Sequence, residues 1–139
     1  MNRARTLQRL HRVRTLQLGL ARADEARAVD ALAGETQLTH RIAGLIDAVA
    51  PAAAASPASG VAAAAHYRER LQQSADAAAG RVRAAQARSA AAAEASRAAK
   101  RDLTAIEKLI ERARAAAVAK EVRALEDLPP SSGKRHDSC

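Results

Sequence analysis

The chain has 139 residues and a formal net charge of +8. Forty residues are Ala, only 24 are Leu, Ile or Val, and one Tyr is the sole member of the Phe, Trp and Tyr group. That is too little bulk to fill a compact globular core. Sparse large apolar residues with a high net charge would ordinarily mean disorder. Here the strong helix formers Ala, Arg, Leu, Glu and Gln dominate, so the composition points to long helices.

The first predicted element is a helix over about 3–50. Leu7, Leu10, Val13, Leu16 and Leu20, then Val29, Leu32, Leu38, Ile42, Leu45, Ile46 and Val49, form a broad apolar stripe at helical spacing. Its phase drifts around Gly34 and Glu35, which predicts a stutter or bend there, because glycine costs about 1 kcal/mol in a helix interior. Residues 1–23 carry Arg3, Arg5, Arg9, Arg12, Arg14 and Arg22 and no acid. Cations at a helix N-terminus oppose the macrodipole, so helix stability does not account for them. Two accounts stay open: cross-helix pairing with Asp102, Glu107 and Glu111, or a basic docking face for an acidic partner.

The stretch "PAAAASPASG", within a turn expected at about 51–60, holds two prolines and a glycine and breaks the first helix. The uncharged run from Ala48 to Ala65 does not read as a membrane span, since it is mostly Ala, Pro, Ser and Gly.

A second helix is predicted over about 58–127. Leu71, Ala75, Ala78, Val82, Ala85, Ser89, Ala92, Ser96, Ala99, Leu103, Ile106, Ile110, Ala113 and Ala117 follow one another in steps of four and three, and none is charged. Such a seam of small residues, bulkier at both ends, is built to press against another helix. Gly80 lies off it, so the helix is expected to run through uninterrupted. After Leu128, "PPSSGKRHDSC" has no apolar periodicity and is expected to be a flexible tail over 129–139.

These elements predict an all-α fold: one domain over 1–128, an antiparallel two-helix coiled-coil hairpin with unequal arms and a disordered C-terminal tail. A turn centred near residue 55 would put Leu7 opposite Leu103 and Arg3 near Glu107. Everything beyond about 110 would then overhang its partner. The overhang carries Ala113, Ala117, Val118, Val122, Leu125 and Leu128 on one side.

No catalytic, cofactor or metal site is expected. His11, His40, His66 and His136 have no ligand set of metal-site spacing, and no Gly-rich phosphate loop is present. Cys139, the only cysteine, allows no internal disulfide and fits a reducing cytosol. The N-terminus lacks the apolar stretch of a cleavable signal.

The opening "LQRLHRVRTLQLGLARADEARAVDAL", the segment "HYRERLQQSADAA" and the ending "EKLIERARAAAVAKEVRALEDL" together resemble the flagellar FliJ family, the coiled-coil stalk proteins of the type III export apparatus. The resemblance covers nearly the whole chain. It rests on the order of the elements, an aromatic four residues before Leu at the start of the second helix, and a basic-to-acidic ending. It implies a non-enzymatic, monomeric hairpin like the central shaft of rotary ATPases. Such a protein is cytoplasmic, peripherally associated with the inner membrane, and serves flagellum biogenesis and motility.

The partners so implied are a hexameric export ATPase, a membrane export gate and export chaperones, with no cofactor, small-molecule substrate or nucleic acid. Arg3, Arg5, Arg9, Arg12 and Arg14 would dock on the ATPase. Arg112, Arg114, Lys120 and Arg123 of the overhang would face the ring wall, with Val118, Val122 and Leu125 packing on it. Tyr67, Leu71, Ser74 and Ala78 correspond to the gate-contacting surface, although Ser74 and Ala78 are small for that role, and Tyr67 equally suits capping the hairpin end. Two other classes remain. A basic coiled coil could neutralise nucleic-acid phosphates, as a pI near 10.9 suggests, and a homodimeric structural spacer would use the same seam. Against nucleic acid stand the missing stacking aromatics and the acids mixed among the bases after His66.

Overall fold

A computed structural model of the chain describes residues 2–54 and 57–129. The flexible tail expected at 129–139 lies outside the described residues beyond Pro129. Two helices make up the fold, α1 over Asn2–Ala54 and α2 over Ala58–Glu126. They pack along their lengths as an all-α hairpin. At about 1.5 Å per residue, the 53 residues of α1 span roughly 80 Å and the 69 of α2 roughly 104 Å.

The turn is shorter than the prolines imply. Helix α1 runs through Pro51 to Ala54, because a proline near the end of a helix forfeits a single hydrogen bond. Pro57, extended at φ −61° and ψ 164°, caps α2 without a side-chain bond. Its carbonyl accepts from the amides of Gly60 at 2.8 Å and Val61 at 3.0 Å. At the far end the Asp127 amide donates to the Arg123 carbonyl.

Helix α2 uses the seam its sequence displays. From Leu71 to Ala113 every member is buried or half-buried, with Ala78 0% and Ala85 1% exposed, and only Ala117 at the end is exposed. The helix continues through Gly80. Close-packed alanines bring the helices near each other, so even these small side chains lose their water.

Helix α1 differs from expectation in two respects. It shows no break at Gly34. Its buried and half-buried positions also form a seam in unbroken steps of four and three: Leu7, His11, Arg14, Leu18, Ala21, Glu25, Ala28, Leu32, Glu35, Thr39, Ile42, Ile46 and Val49. Five of these are polar or charged. Leu18, absent from the expected stripe, is buried, whereas Leu10, Val13, Leu16, Leu20, Val29, Leu38 and Leu45 are exposed. The apparent phase drift came from treating these off-seam residues as members of one stripe.

Cross-helix pairs fix the register. Arg14 Nη1 donates to Asp102 Oδ2 at 2.9 Å, and Arg81 Nε to Glu35 Oε2 at 3.1 Å. His11 Nε2 lies 3.5 Å from Glu107 Oε1, an ion pair when the imidazole is protonated. The residue numbers in these pairs add to 116, 116 and 118. Level residues therefore add to about 117, so Leu7 lies level with Ile110 rather than Leu103. Ala4, Leu7 and Gln8 surround a groove together with Ile110, Ala113, Arg114 and Ala117. Helix α1 thus covers its partner almost to Ala117, and the overhang is Val118–Glu126, half the expected length.

Candidate docking surface at the open end

The register divides the charge unevenly along the rod. Near the turn, residues 37–80 hold three acids and three bases. In the middle, 24–36 with four acids and one base faces 81–93 with three bases and no acid. At the open end, 1–23 contributes six arginines without an acid, and 94–126 contributes eight bases and six acids. The whole net charge of +8 therefore sits at the open end.

Little of that charge is neutralised internally. Of the arginines between residues 3 and 14, only Arg14 is paired, to Asp102, and its guanidinium also donates to Gln17 at 3.0 Å. Among the described residues Arg3, Arg5, Arg9 and Arg12 make no ion pair, Glu111 takes none of them, and Glu107 faces His11. Cross-helix pairing thus accounts for one of the five. Arg5, Arg9 and Arg12 line a shallow groove with Thr6 and Gln8. On α2, Arg101 and Arg97 donate to the Glu94 carboxylate at 2.8 and 3.0 Å. These bonds, that of Arg101 foremost, hold the Glu94 carboxyl below its usual pKa of 4.5.

The other expected contact residues fall into two groups. Arg112, Arg114, Val118, Lys120, Val122, Arg123 and Leu125 are all exposed on the last turns of α2. Leu71 and Ala78, by contrast, are seam residues buried against α1, at 9% and 0% exposed. Tyr67 and Ser74 remain exposed, and they line a surface groove with His66, Arg70 and Leu71. Tyr67 is therefore not a cap sealed inside the hairpin end.

The two long grooves between the helices differ in chemistry, a contrast that the sequence pattern of either helix alone conceals. Asp102, reached by Arg14, and Arg81, reached by Glu35, each immediately precede a seam residue and mark one groove. Glu107, which follows Ile106 and faces His11, marks the other. At the open end this second groove carries the charged and polar heads of Gln8, His11, Arg12, Glu107, Glu111 and Arg114 around Ile110.

Among the described residues no group of three or more His, Cys, Asp or Glu is placed to hold a metal ion, and no helix is long and apolar enough to cross a membrane. No family model matches the chain, nor does any curated protein or solved structure.

Proposed function

We propose that this protein is a non-enzymatic coiled-coil stalk with unequal arms, and that its open end docks on an acidic macromolecular partner. Its resemblance to the FliJ family makes that partner the hexameric ATPase of a flagellar or related type III export apparatus, whose assembly the stalk promotes and which it links to the export gate and chaperones. The single observation that carries this reading is the confinement of the net charge of +8 to the open end, with Arg3, Arg5, Arg9 and Arg12 making no ion pair among the described residues. Exposed charges held off any internal pair are poor stabilisers but effective at steering an oppositely charged surface into register. The overhang Val118–Glu126 extends the same end, with Val118, Val122 and Leu125 uncovered. Nucleic-acid binding would draw on the same charge, but Tyr67, the sole residue of the Phe, Trp and Tyr group, sits at the electrically balanced turn end.

The test is turnover of the export ATPase from the same cell, with and without the purified protein, and with the Arg9→Glu/Arg12→Glu variant. The wild type should bind and stimulate, and its affinity should fall as salt shortens the ~8–10 Å screening length. The variant should keep its helix content and melting temperature and lose binding. Normal stimulation by the variant would exclude the basic face as the docking surface.

A further inference from the structure

Beyond the basic end, one groove carries an apolar strip whose geometry is that of a helix seat. Arg14 donates to both Gln17 and Asp102, so these two residues border the same groove. Leu10 lies seven residues before Gln17 and Leu109 seven residues after Asp102, which returns each to that groove two helical turns further towards the open end. In the register of the hairpin Leu10 is level with about residue 107 and Leu109 with about residue 8. The two leucines therefore flank one groove from opposite helices, and they are 40% and 42% exposed.

Val13 and Leu20, one position further round α1, extend the strip, and both are exposed. On the α2 side Ala98 and Ala105 occupy the corresponding positions and offer a low floor for close approach. Apolar residues at spacings of three, four and seven on two adjacent helices form the surface that a third helix packs into. A flat surface would not require apolar groups from both helices at one groove.

The rim selects the occupant. Arg3 and Arg9 on α1 and Lys108 and Arg112 on α2 border the strip, and none of them makes an ion pair among the described residues. Asp102, which borders this groove beside the strip, is already taken by Arg14. A second copy of the chain would bring two +8 ends together, and like charges at close range oppose that. We propose that the groove bordered by Leu10, Val13, Leu20 and Leu109 seats an amphipathic helix with acidic flanks from a partner protein, completing a local three-helix bundle. This does not rest on the stalk reading, since the groove faces away from the polar one and would serve any machine that supplies such a helix.

The probe is a fluorescein-labelled 24-residue synthetic helix with Leu and Ala on its seam and Glu on both flanks, compared with the same peptide carrying Lys flanks. Full-length protein should raise the anisotropy of the Glu peptide, less so in high salt, and leave the Lys peptide unchanged. Leu10→Ser with Leu109→Ser should weaken binding about tenfold or more, as truncation of central anchors does. Gln8→Ser with Thr15→Ser, on the other groove, should leave it unchanged. If the leucine pair lowers the melting temperature, Val13→Ser with Leu20→Ser serves instead, because both are more exposed.

Equal binding of the two peptides, or binding that survives the serine variants, would overturn the proposal. So would serine-sensitive binding to phosphatidylcholine vesicles with 30% phosphatidylserine in the absence of peptide binding, which would assign the strip to a lipid surface. Serine-sensitive dimerisation in sedimentation without peptide binding would assign it to a second copy and equally reject the partner helix.

Discussion

Leu32 and Ala85 provide a direct test of the register. Their numbers add to 117, which places them in one layer with Ala85 only 1% exposed. Ala85→Leu would add three carbons where no space is left, costing about 1–3 kcal/mol. Leu32→Ala would remove the same volume from a half-buried site, costing about 1–2 kcal/mol, below the range for a fully buried leucine. Unfolding entropy of about 2.1 cal/mol/K per residue makes 1 kcal/mol worth about 3–4 °C in a chain of this size. Each single variant should therefore melt roughly 3–10 °C lower, followed by circular dichroism at 222 nm. The double variant exchanges large for small across the layer. It should recover to within about 1 kcal/mol, or ~4 °C, of the wild type, because contacting sites couple. Ala84→Leu, on an exposed neighbour, should shift the midpoint by no more than ~2 °C. Strict additivity of the two losses would show that Leu32 and Ala85 are not in contact, and the inferred register would be wrong.

Gly34 and Gly80 sit inside helices with nothing within 4 Å of a built Cβ, so Gly34→Ala and Gly80→Ala should each raise stability by about 0.5–1 kcal/mol, read as a higher melting midpoint. Glu35 occupies a seam position level with Val82, its side chain 28% exposed and paired to Arg81. Glu35→Leu should raise the melting temperature and reduce its dependence on salt, since an apolar group suits a half-buried seam better than an ion pair does. Glu94 has its folded pKa depressed by Arg101 and Arg97. Its contribution should be present above the ordinary carboxylate value of 4.5 and be lost as pH falls through the lower folded value. The difference in melting temperature between wild type and Glu94→Gln should therefore be flat from neutral pH down to about pH 5 and shrink below the usual carboxylate range.

The second helix was legible because its seam obeys the rule by which seams are recognised. From Leu71 to Ala113 every member is small or apolar, and every member is buried or half-buried. The first helix was not, because His11, Arg14, Glu25 and Glu35 occupy seam positions while Leu16, 70% exposed, and Leu20 lie outside. A pattern search takes charge as the mark of the solvent face and leucine as the mark of the core, and both marks mislead here.

The reason lies in the partner. Opposite Arg14, Glu25 and Glu35 the second helix offers alanines and branched aliphatics that leave room for a long stem, so arginine and glutamate can lay their methylenes on the seam and carry the charge out into a groove. Whether a residue can behave in this way depends on what faces it, and that is decided by the register. Local sequence predicts that the chain folds back near its prolines, but the exact length of the turn sets every pairing. A shift of three to four residues in the centre of the hairpin, from 55 to between 58 and 59, moved Leu7 from Leu103 to Ile110 and shortened the overhang to Val118–Glu126. Composition and periodicity by themselves determined two long helices and one of the two seams. Only their packing decided which arginines are consumed internally, which leucines stay outside, and that the unbalanced charge and the apolar strip share the open end.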